Sequence, residues 1–458
     1  MSTETALLTG WGRTAPTAAH VVPVAAEVDA VVAAQAAGAR GALARGLGRS
    51  YGDAAQNAGG SVLDLRPLDA PVELDPTTGV VRAPAGASLD AVMRAIVPRG
   101  WFVPVTPGTR QVTLGGALAA DIHGKNHHVD GSFGAHVTEG RLVTGDGSIR
   151  TIGPDRDADA YWATVGGMGL TGALTEVSFR VRSIETSRML VDTARLDDLD
   201  ALMAAMEAGD ERHRYSVAWI DLLATGRHLG RSVLTAGDHA PRAAVAGTEA
   251  EARAFEPSSR LGAPTWVPSG LLNKLTIRAF NELWFRKAPR DRHDEVQSIG
   301  AFFHPLDGLR DWNRLYGATG FLQHQTVVPF GEEDTLRRLV EKLADAGTPS
   351  FLAVLKRFGA ASPAPLSFPM PGWTLALDIP AGVGGLPELL DEIDRMVVDV
   401  GGRVYLAKDS RVDPRHLTRM YPRLAEWQAS RDRLDPADRW QSDLGRRLGL
   451  CGPRKERT

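Results

Sequence analysis

The chain contains very little cysteine and no long apolar run. Its single cysteine, Cys451, excludes a disulfide within the chain, so cysteine usage does not indicate an oxidising compartment. No apolar segment approaches the roughly 18 residues that a membrane-spanning helix needs. The first residues also lack the basic and apolar segments of a secretory signal peptide. We therefore expect neither a signal peptide nor a transmembrane segment.

An excess of charge of one sign is also missing. The 458 residues carry a formal net charge of −3, and 43% of them are hydrophobic. A nearly balanced charge argues against broad nucleic-acid binding. The apolar content is sufficient for a large core, and the length allows more than one domain. We expect a globular protein that does not bind nucleic acid.

Glycine is concentrated in three loops, which are residues 44–53, 106–116 and 166–172. Glycine lets the backbone approach a flat or anionic ligand closely, and free N–H groups can bind phosphate oxygens. The third loop contains Gly-x-Gly-x-x-Gly, but the segments that follow the first and third loops alternate like strands. Because a Rossmann loop opens a helix, the pattern favours an α+β domain around a long cofactor.

Taken together, these loops resemble the vanillyl-alcohol-oxidase-type FAD-binding family. Residues 121–128 (DIHGKNHH) and 407–411 (AKDSR) narrow the resemblance to the flavoprotein subunits of actinobacterial decaprenylphosphoryl-β-D-ribose 2′-epimerases. The resemblance implies an α+β, two-domain fold with a discontinuous FAD domain and an antiparallel-sheet substrate domain. The expected boundaries are residues 1–184 and 403–458 for the FAD domain, and residues 185–402 for the substrate domain.

The resemblance also implies a reaction. In that reaction FAD oxidises the ribose 2′-hydroxyl of a polyprenyl-phosphate-linked ribose to a 2-keto sugar, the first half of an epimerisation to the arabinose donor for cell-wall arabinan. An NADH-dependent short-chain reductase would complete the epimerisation, and the protein would lie peripherally on the plasma membrane. Two alternatives stay open: an FAD-dependent oxidase of another sugar, alditol or aldonolactone, and a flavin-binding partner without enzymatic activity.

The first glycine-rich loop indicates how FAD is held. Covalent relatives carry a histidine just before the serine of this loop, whereas this chain has Arg49 before Ser50, so we expect non-covalent FAD. The resemblance assigns the following residues to the cofactor: Ala44, Arg45, Gly46, Leu47, Gly48, Arg49, Ser50, Tyr51, Gly52, Asp53, Ala54, Gly108, Thr113, Leu114, Gly115, Gly116, Ala120, Asp121, Ile122, His123, Leu174 and Tyr405.

Hydride transfer to a flavin requires a cation or hydrogen-bond donors near the negative charge that develops on the ring, and a group that accepts the hydroxyl proton. The resemblance assigns Lys408 as the cation, and His123 and Tyr51 are the candidate proton acceptors. Lys125 is a candidate for holding the substrate phosphate. The adjacent histidines of residues 127–128 lack the spacing of a zinc site, so no metal is expected. The expected substrate pocket consists of Lys125, Trp219, Tyr316, Gln323, Gln325, Lys356, Thr374 and Ala376.

Two pocket positions depart from the family. Many members have asparagine at the position of Thr374 and cysteine at that of Ala376. Since flavin hydride transfer needs no cysteine nucleophile, the reaction class is unaffected. The changes, together with His324, bear on which substrate is chosen.

Periodicity predicts several elements outside the loops. Helices are expected over residues 87–97, 197–208, 335–346 and 386–400, and a strand over residues 215–222. Residues 241–274 are weakly patterned, which is typical of a lid or a disordered segment. Within this segment, Trp266, Val267, Leu271 and Leu272 are candidates for contact with lipid.

Overall fold

The computed structural model describes residues 4–257 and 261–453. The N-terminal part alternates short strands and helices: β1 Glu4–Leu8, β2 Thr17–Pro23, α1 Glu27–Gln35, β3 Ala42–Arg45, β4 Ser61–Asp64, β5 Glu73–Asp75, β6 Val80–Pro84, α2 Leu89–Ile96, β7 Trp101–Phe102, α3 Leu114–Ala119, α4 His127–Asp130, β8 Val137–Val143, β9 Ile149–Ile152, α5 Ala158–Thr164, β10 Ala173–Arg180 and β11 Arg182–Ser183.

Longer elements follow: β12 Arg188–Leu196, α6 Leu199–Gly209, β13 Tyr215–Ile220, β14 Ser232–His239, α7 Glu249–Arg253, β15 Leu261–Gly262, α8 Lys274–Lys287, β16 Asp291–Ser298, α9 Ile299–Phe303, β17 Leu309–Arg310, β18 Phe321–Pro329, α10 Glu333–Asp345, β19 Ala353–Phe358, β20 Gly372–Pro380, α11 Leu386–Asp399, β21 Arg403–Val404, α12 Leu417–Met420, α13 Leu424–Leu434 and α14 Asp443–Arg447. Short 3-10 helices include Asp53–Ala55 and Trp312–Tyr316.

Two sheets build the N-terminal part. Their strand orders are β1-β2-β4-β3 and β5-β6-β10-β8-β9. In the first sheet β4 pairs parallel with both β2 and β3, whereas every pair in the second sheet is antiparallel. Helices α2 and α3 pack their apolar residues against the second sheet. The glycine-rich loops therefore extend from a rigid scaffold of packed strands and helices.

The second part of the chain forms an antiparallel sheet of eight strands, in the order β16-β12-β14-β13-β19-β20-β18-β21. Because side chains alternate between the faces of a strand, each face has its own composition. One face carries residues such as Ala218, Leu234 and Leu355, which pack on α6, α10 and α11 in a single core. The opposite face lines the cavity described below.

After β21 the chain returns to the N-terminal part. Ala42 and Trp440 form a parallel bridge, and the indole N–H of buried Trp427 donates to the Ala163 carbonyl at 2.9 Å. The two-domain α+β fold with a discontinuous first domain is thus confirmed. The boundaries at residues 184/185 and 402/403 stay a prediction, and β21, directly after the second boundary, still pairs with β18.

The predicted helices correspond to α2, α6, α10 and α11, and the predicted strand to β13. Ser88 and Asp198 cap α2 and α6 by accepting a backbone N–H three residues on, as expected of these residue types. The weakly patterned segment contains more structure than expected, because Thr248 and Glu251 form a capping box that starts α7. Residues 258–260 of this segment lie outside the described residues.

Candidate active site

A cavity of about 860 Å³ separates the glycine-rich loops from the inner face of the eight-stranded sheet. The loops form one wall, and side chains from β13, β14, β19, β20 and β18 form the other. Most of the residues predicted for the cofactor and the substrate line this one space. These are Ala44, Arg45, Gly46, Leu47, Gly48, Arg49, Ser50, Tyr51, Ala54, Gly108, Thr113, Gly115, Gly116, Ala120, Ile122, His123, Lys125, Leu174, Trp219, Gln323, Lys356, Ala376, Tyr405 and Lys408.

The first glycine-rich loop is shaped by close backbone contacts. Gly48 has a φ of +64°, a conformation that glycine adopts without strain. A Cβ at Gly46 would lie 2.2 Å from the hydroxyl oxygen of Thr113. The Arg45 guanidinium donates to the carbonyls of Thr9, at 2.8 Å, and Ala55. The loop conformation thus depends on glycine and on one internal arginine.

The second loop leads into α3, where Thr113 accepts a hydrogen bond from the backbone N–H of Gly116. Two glycines keep this wall open. A Cβ at Gly108 would meet no atom within 4 Å, and at Gly116 it would meet only the Thr113 hydroxyl, at 3.1 Å. Backbone is thus exposed to the cavity over a long path, which suits an extended ligand.

Asp121, the second residue after the end of α3, has a strained backbone and a buried side chain. Its φ is +41°, and such left-handed non-glycine positions cost of order 1–3 kcal/mol. Its carboxylate accepts hydrogen bonds from Ser132 and Ser367 hydroxyls and from the Gly134 N–H, at 2.7, 2.5 and 2.9 Å. Asp121 does not line the cavity; it fixes the turn that presents Ile122 and His123.

An amide and a hydroxyl orient His123. The Thr374 hydroxyl donates to the Thr326 carbonyl at 2.9 Å, so its oxygen accepts from the Gln325 amide N–H at 2.8 Å. The second N–H of that amide then faces His123 Nε2 at 2.9 Å. Burial and the charges of Lys356 and Lys408 lower the pKa of His123 well below its usual value. His123 is therefore neutral, with its proton assigned to Nδ1 by this network.

A second cluster of buried polar side chains surrounds Lys408. Its Nζ lies 5.6 Å from the centre of the Tyr51 ring. Burial and the charge of Lys356 lower the pKa of Lys408, although Asp378 opposes this. Burial also raises the pKa of Asp378, whose Oδ1 accepts from the Gln323 amide. Burial raises the pKa of Tyr51 although a hydrogen bond with Gln323 opposes this, so the phenol keeps its proton at neutral pH.

Two further lysines line the same cavity. Lys125 Nζ donates to the Phe302 carbonyl at 2.6 Å and lies 4.1 Å from the centre of its ring. Burial and the charge of Lys356 lower the pKa of Lys125 to about 7, and burial lowers the pKa of Lys356 to about 8. Both lysines still carry charge near neutral pH. An anionic ligand group is the natural counterpart for such a pair.

Several predicted residues lie outside the cavity. Gly52 packs against the Asp409 carbonyl, which would be 1.9 Å from an added Cβ, and Asp53 pairs with Arg447. Leu114 is in the core, and Tyr316 stacks on Phe321 with ring centres 4.1 Å apart. Together with Asp121, Gln325 and Thr374, these residues support lining residues rather than forming the wall.

Sequence reasoning missed Asp378 and, apart from Trp219, the apolar residues that line the outer part of the cavity. Asp378 lies two residues beyond Ala376 on β20, hence on the same face of the strand, and pairs directly with Gln323 on β18. The signal available in the sequence was that Asp378 is the one charged residue of β20. Asp378 Oδ2 has no hydrogen-bond partner within the described residues.

Two observations indicate that the cavity fits FAD. The glycine backbone at residues 46, 108 and 116 leaves room that a side chain would reduce. In addition, polar atoms beside the cavity are buried without a partner in the part of the chain that the structure describes. These atoms are Arg49 Nε, His123 Nδ1, Gln323 Oε1 and Gln325 Oε1. Buried polar groups are normally satisfied, so these atoms are consistent with a bound polar molecule.

Known proteins are similar to this chain over nearly its whole length. The family described as "FAD binding domain" matches residues 18–153. Decaprenylphosphoryl-beta-D-ribose oxidase of Mycolicibacterium smegmatis is 43% identical over 454 residues, covering 98% of both chains. An uncharacterised Streptomyces coelicolor protein, in the 5′ region of mprA, is 41% identical over 79% of this chain and 100% of its own length.

A more distant relative shares only part of the chain. Glycolate oxidase subunit GlcE of Escherichia coli is 30% identical over 129 residues, which are 27% of this chain and 37% of that protein. The full-length match, the FAD-binding segment and the glycine-lined cavity agree, and they confirm the resemblance read from the motifs. The chain is an FAD-binding oxidoreductase that belongs to the decaprenylphosphoryl-β-D-ribose oxidase family.

Proposed function

We propose that this protein oxidises the ribose 2′-hydroxyl of decaprenylphosphoryl-β-D-ribose to the 2-keto sugar, with non-covalent FAD as the hydride acceptor. The observation that carries this proposal is the placement of Lys125, Lys356 and Lys408 in the same cavity as the glycine-rich loops. Full-length similarity to an enzyme named for this substrate supports it.

The residues present would hold FAD without a covalent bond. Arg49 occupies the position of the linking histidine in covalent relatives, and its guanidinium stacks on Trp11, 3.8 Å from the ring centre. Backbone N–H groups of the first loop would bind the phosphates, whereas those of Leu114, Gly115 and Gly116 already donate to Ala87, Ala85 and Thr113. When bound, FAD accepts a hydride from the carbinol carbon.

The proton of the hydroxyl goes to Lys408 Nζ in this proposal. Tyr51 keeps its own proton, and His123 Nε2 is engaged by Gln325, so the two candidates chosen from the sequence act as donors instead. Since burial favours the neutral amine of Lys408, this group can accept the proton. The resulting ammonium then supplies the cation that the resemblance places there.

Reduction of the purified yellow protein tests the function. Anaerobic mixing with a polyprenylphosphoryl ribose is expected to bleach the flavin absorbance, whereas free alditols leave it unchanged. Acid precipitation of the same sample is expected to leave the flavin in the supernatant. Bleaching by alditols alone would contradict the proposed substrate, and flavin in the pellet would contradict non-covalent binding.

The phosphate is held by Lys125 and Lys356, which makes binding dependent on pH. The pKa values of about 7 and 8 mean that both lysines lose charge as the pH rises through this range, while the phosphodiester stays anionic. A charged hydrogen bond contributes roughly 1.5–3 kcal/mol, so KM is expected to rise roughly 10- to 100-fold for each charge lost. Initial rates measured against substrate concentration at each pH would show this.

Lys356→Arg provides the matched control, because guanidinium stays protonated throughout. In this variant only Lys125 still loses charge, so KM is expected to rise less at alkaline pH than in the wild-type protein. Lys356→Met is expected to have a raised KM even at the lowest pH. A wild-type KM that does not change with pH would contradict phosphate binding by these lysines.

We also propose a peripheral membrane contact and an NADH-dependent short-chain reductase as the partner that reduces the keto sugar. No helix within residues 4–257 and 261–453 is long and apolar enough to cross a bilayer. Trp266, Leu275 and Leu283 are 78%, 77% and 68% exposed, and Lys274 and Arg278 are exposed beside them. Cosedimentation with anionic vesicles, weakened in Trp266→Ser/Leu275→Ser, would measure this contact.

A further inference from the structure

The cavity continues well beyond the lysines, along the inner face of the eight-stranded sheet. Directly paired residues share a face, and the pairings define one row across neighbouring strands. Gln325 of β18 pairs with Ala376 of β20, Ala376 with Val354 of β19, and Val354 with Trp219 of β13. Trp219 then pairs with Val233 of β14. The row thus extends from the His123 side to the far part of the sheet.

A second row continues this surface toward the edge of the sheet. Val217 pairs with Thr235, and Thr235 with Thr193 of β12. Six of these outer residues line the cavity: Val354, Trp219, Val217, Val233, Thr235 and Thr193. None of them is charged. With adjacent strands about 4.8 Å apart, the distance from β18 to β12 is roughly 24 Å.

Chemical character changes along this path in a definite order. Polar groups surround His123 and Gln325 at one end, and Lys356 follows on β19, two residues from Val354 and hence on the same face. Beyond Lys356 the strand residues of this surface are uncharged and mostly apolar until Arg292, which pairs with Thr193 and lines the cavity where the edge strand β16 borders it. Trp284, at the end of α8, lines the same outer part.

This order is that of the parts of the substrate, a sugar followed by a phosphate and then an isoprenoid chain. Resting on the proposed function, we propose that the polyprenyl chain leaves the phosphate at Lys356 and lies in the groove formed by Val354, Trp219, Val217, Val233, Thr235 and Thr193, here called the sheet groove. The isoprene units nearest the phosphate are thus bound by the protein, and the remainder continues toward the membrane.

The test compares substrates that differ only in chain length. Phosphoryl ribose carrying one isoprene unit is compared with the farnesyl derivative, and kcat/KM and Kd are measured for both. Val217→Gln/Val233→Gln is expected to lower kcat/KM and raise Kd for the farnesyl substrate by roughly tenfold, the effect of about two methylene groups losing apolar burial. The values for the one-isoprene substrate are expected to stay within about twofold.

A second variant separates occupancy from misfolding. Val217→Phe keeps the surface apolar but fills the groove, and it is expected to give the same selective loss. Val296→Gln is the matched control, because Val296 is 48% exposed on β16 and alternates with Glu295 and Gln297, which line the cavity. This control is expected to leave both substrates unchanged.

Equal losses for both substrates, or no loss in Val217→Phe, would overturn the assignment of the sheet groove. The assignment would also be overturned if kcat/KM for the farnesyl substrate fell selectively in Trp266→Ser/Leu271→Ser but not in the groove variants. The polyprenyl chain would then lie against residues 241–274 instead of the sheet groove. Failure of the wild-type protein to be bleached by either ribose substrate would instead overturn the proposed function.

Discussion

Lys408→Ala is expected to bind FAD but to be reduced by its substrate more slowly by a factor of roughly 10²–10³, the scale for one preorganised group at a reacting centre. Burial and the charge of Lys356 lower the pKa of Lys408, and Asp378 opposes this shift. In the proposed mechanism this amine accepts the hydroxyl proton and then becomes the cation. Stopped-flow measurement of flavin absorbance under single-turnover conditions gives the rate.

Lys408→Arg distinguishes the two roles. A guanidinium preserves the positive charge but does not release its proton in proteins, so we expect a slow variant if proton acceptance is essential. Lys342→Ala is the matched control, because Lys342 on α10 pairs with Glu392 on α11 and neither residue lines the cavity. The flavin of this variant is expected to be reduced at the wild-type rate. A wild-type rate in Lys408→Ala would remove this residue from the mechanism.

Arg447→Met is expected to lower the free energy of unfolding by about 3 kcal/mol, because removing one partner leaves buried carboxylates without compensation. Arg447 donates two hydrogen bonds to Asp53, at 2.8 and 2.9 Å, and a third to Asp409 at 2.8 Å. Asp409 is only 5% exposed. Urea denaturation followed by tryptophan fluorescence gives the free energy.

The same arginine connects three distant segments of the site. Asp53 ends the first glycine-rich loop, Asp409 follows Lys408, and Arg447 lies on α14. We therefore expect Arg447→Met to retain less FAD on purification as well. Arg433→Met is the matched control, since Arg433 and its partner Asp159 have side chains 60% and 84% exposed, and such surface pairs contribute little. Equal stability of the two variants would contradict the structural role of Arg447.

Local sequence was sufficient for most secondary structure and for one wall of the cavity. Helices α10 and α11 have apolar residues at helical spacing, and their observed bounds differ from the predicted ones by only one or two residues. The glycine-rich loops were recognisable because each needs particular backbone conformations or close approaches, as Gly46 and Gly48 do. These requirements act over a few residues and leave a direct trace in the sequence.

The opposite wall could not be derived in the same way. β20 is buried on both faces, so its alternation does not tell which side chains face the cavity; pairing with β18 and β19 does. Assignment of proton donors likewise required three dimensions, because the network through Thr326, Thr374, Gln325 and His123 joins three strands or loops distant in sequence.

The sequence alone therefore determined the family and placed the glycine-rich loops and Lys408 at the cavity, because each depends on a short motif whose chemistry is local. Only the tertiary structure decided the direction of the pKa shifts of His123, Lys408 and Tyr51, and where Asp378, Arg447 and the sheet groove lie. A pKa depends on burial and on charges brought together by folding, and a groove depends on strand register. Neither quantity is a property of any single segment of the chain.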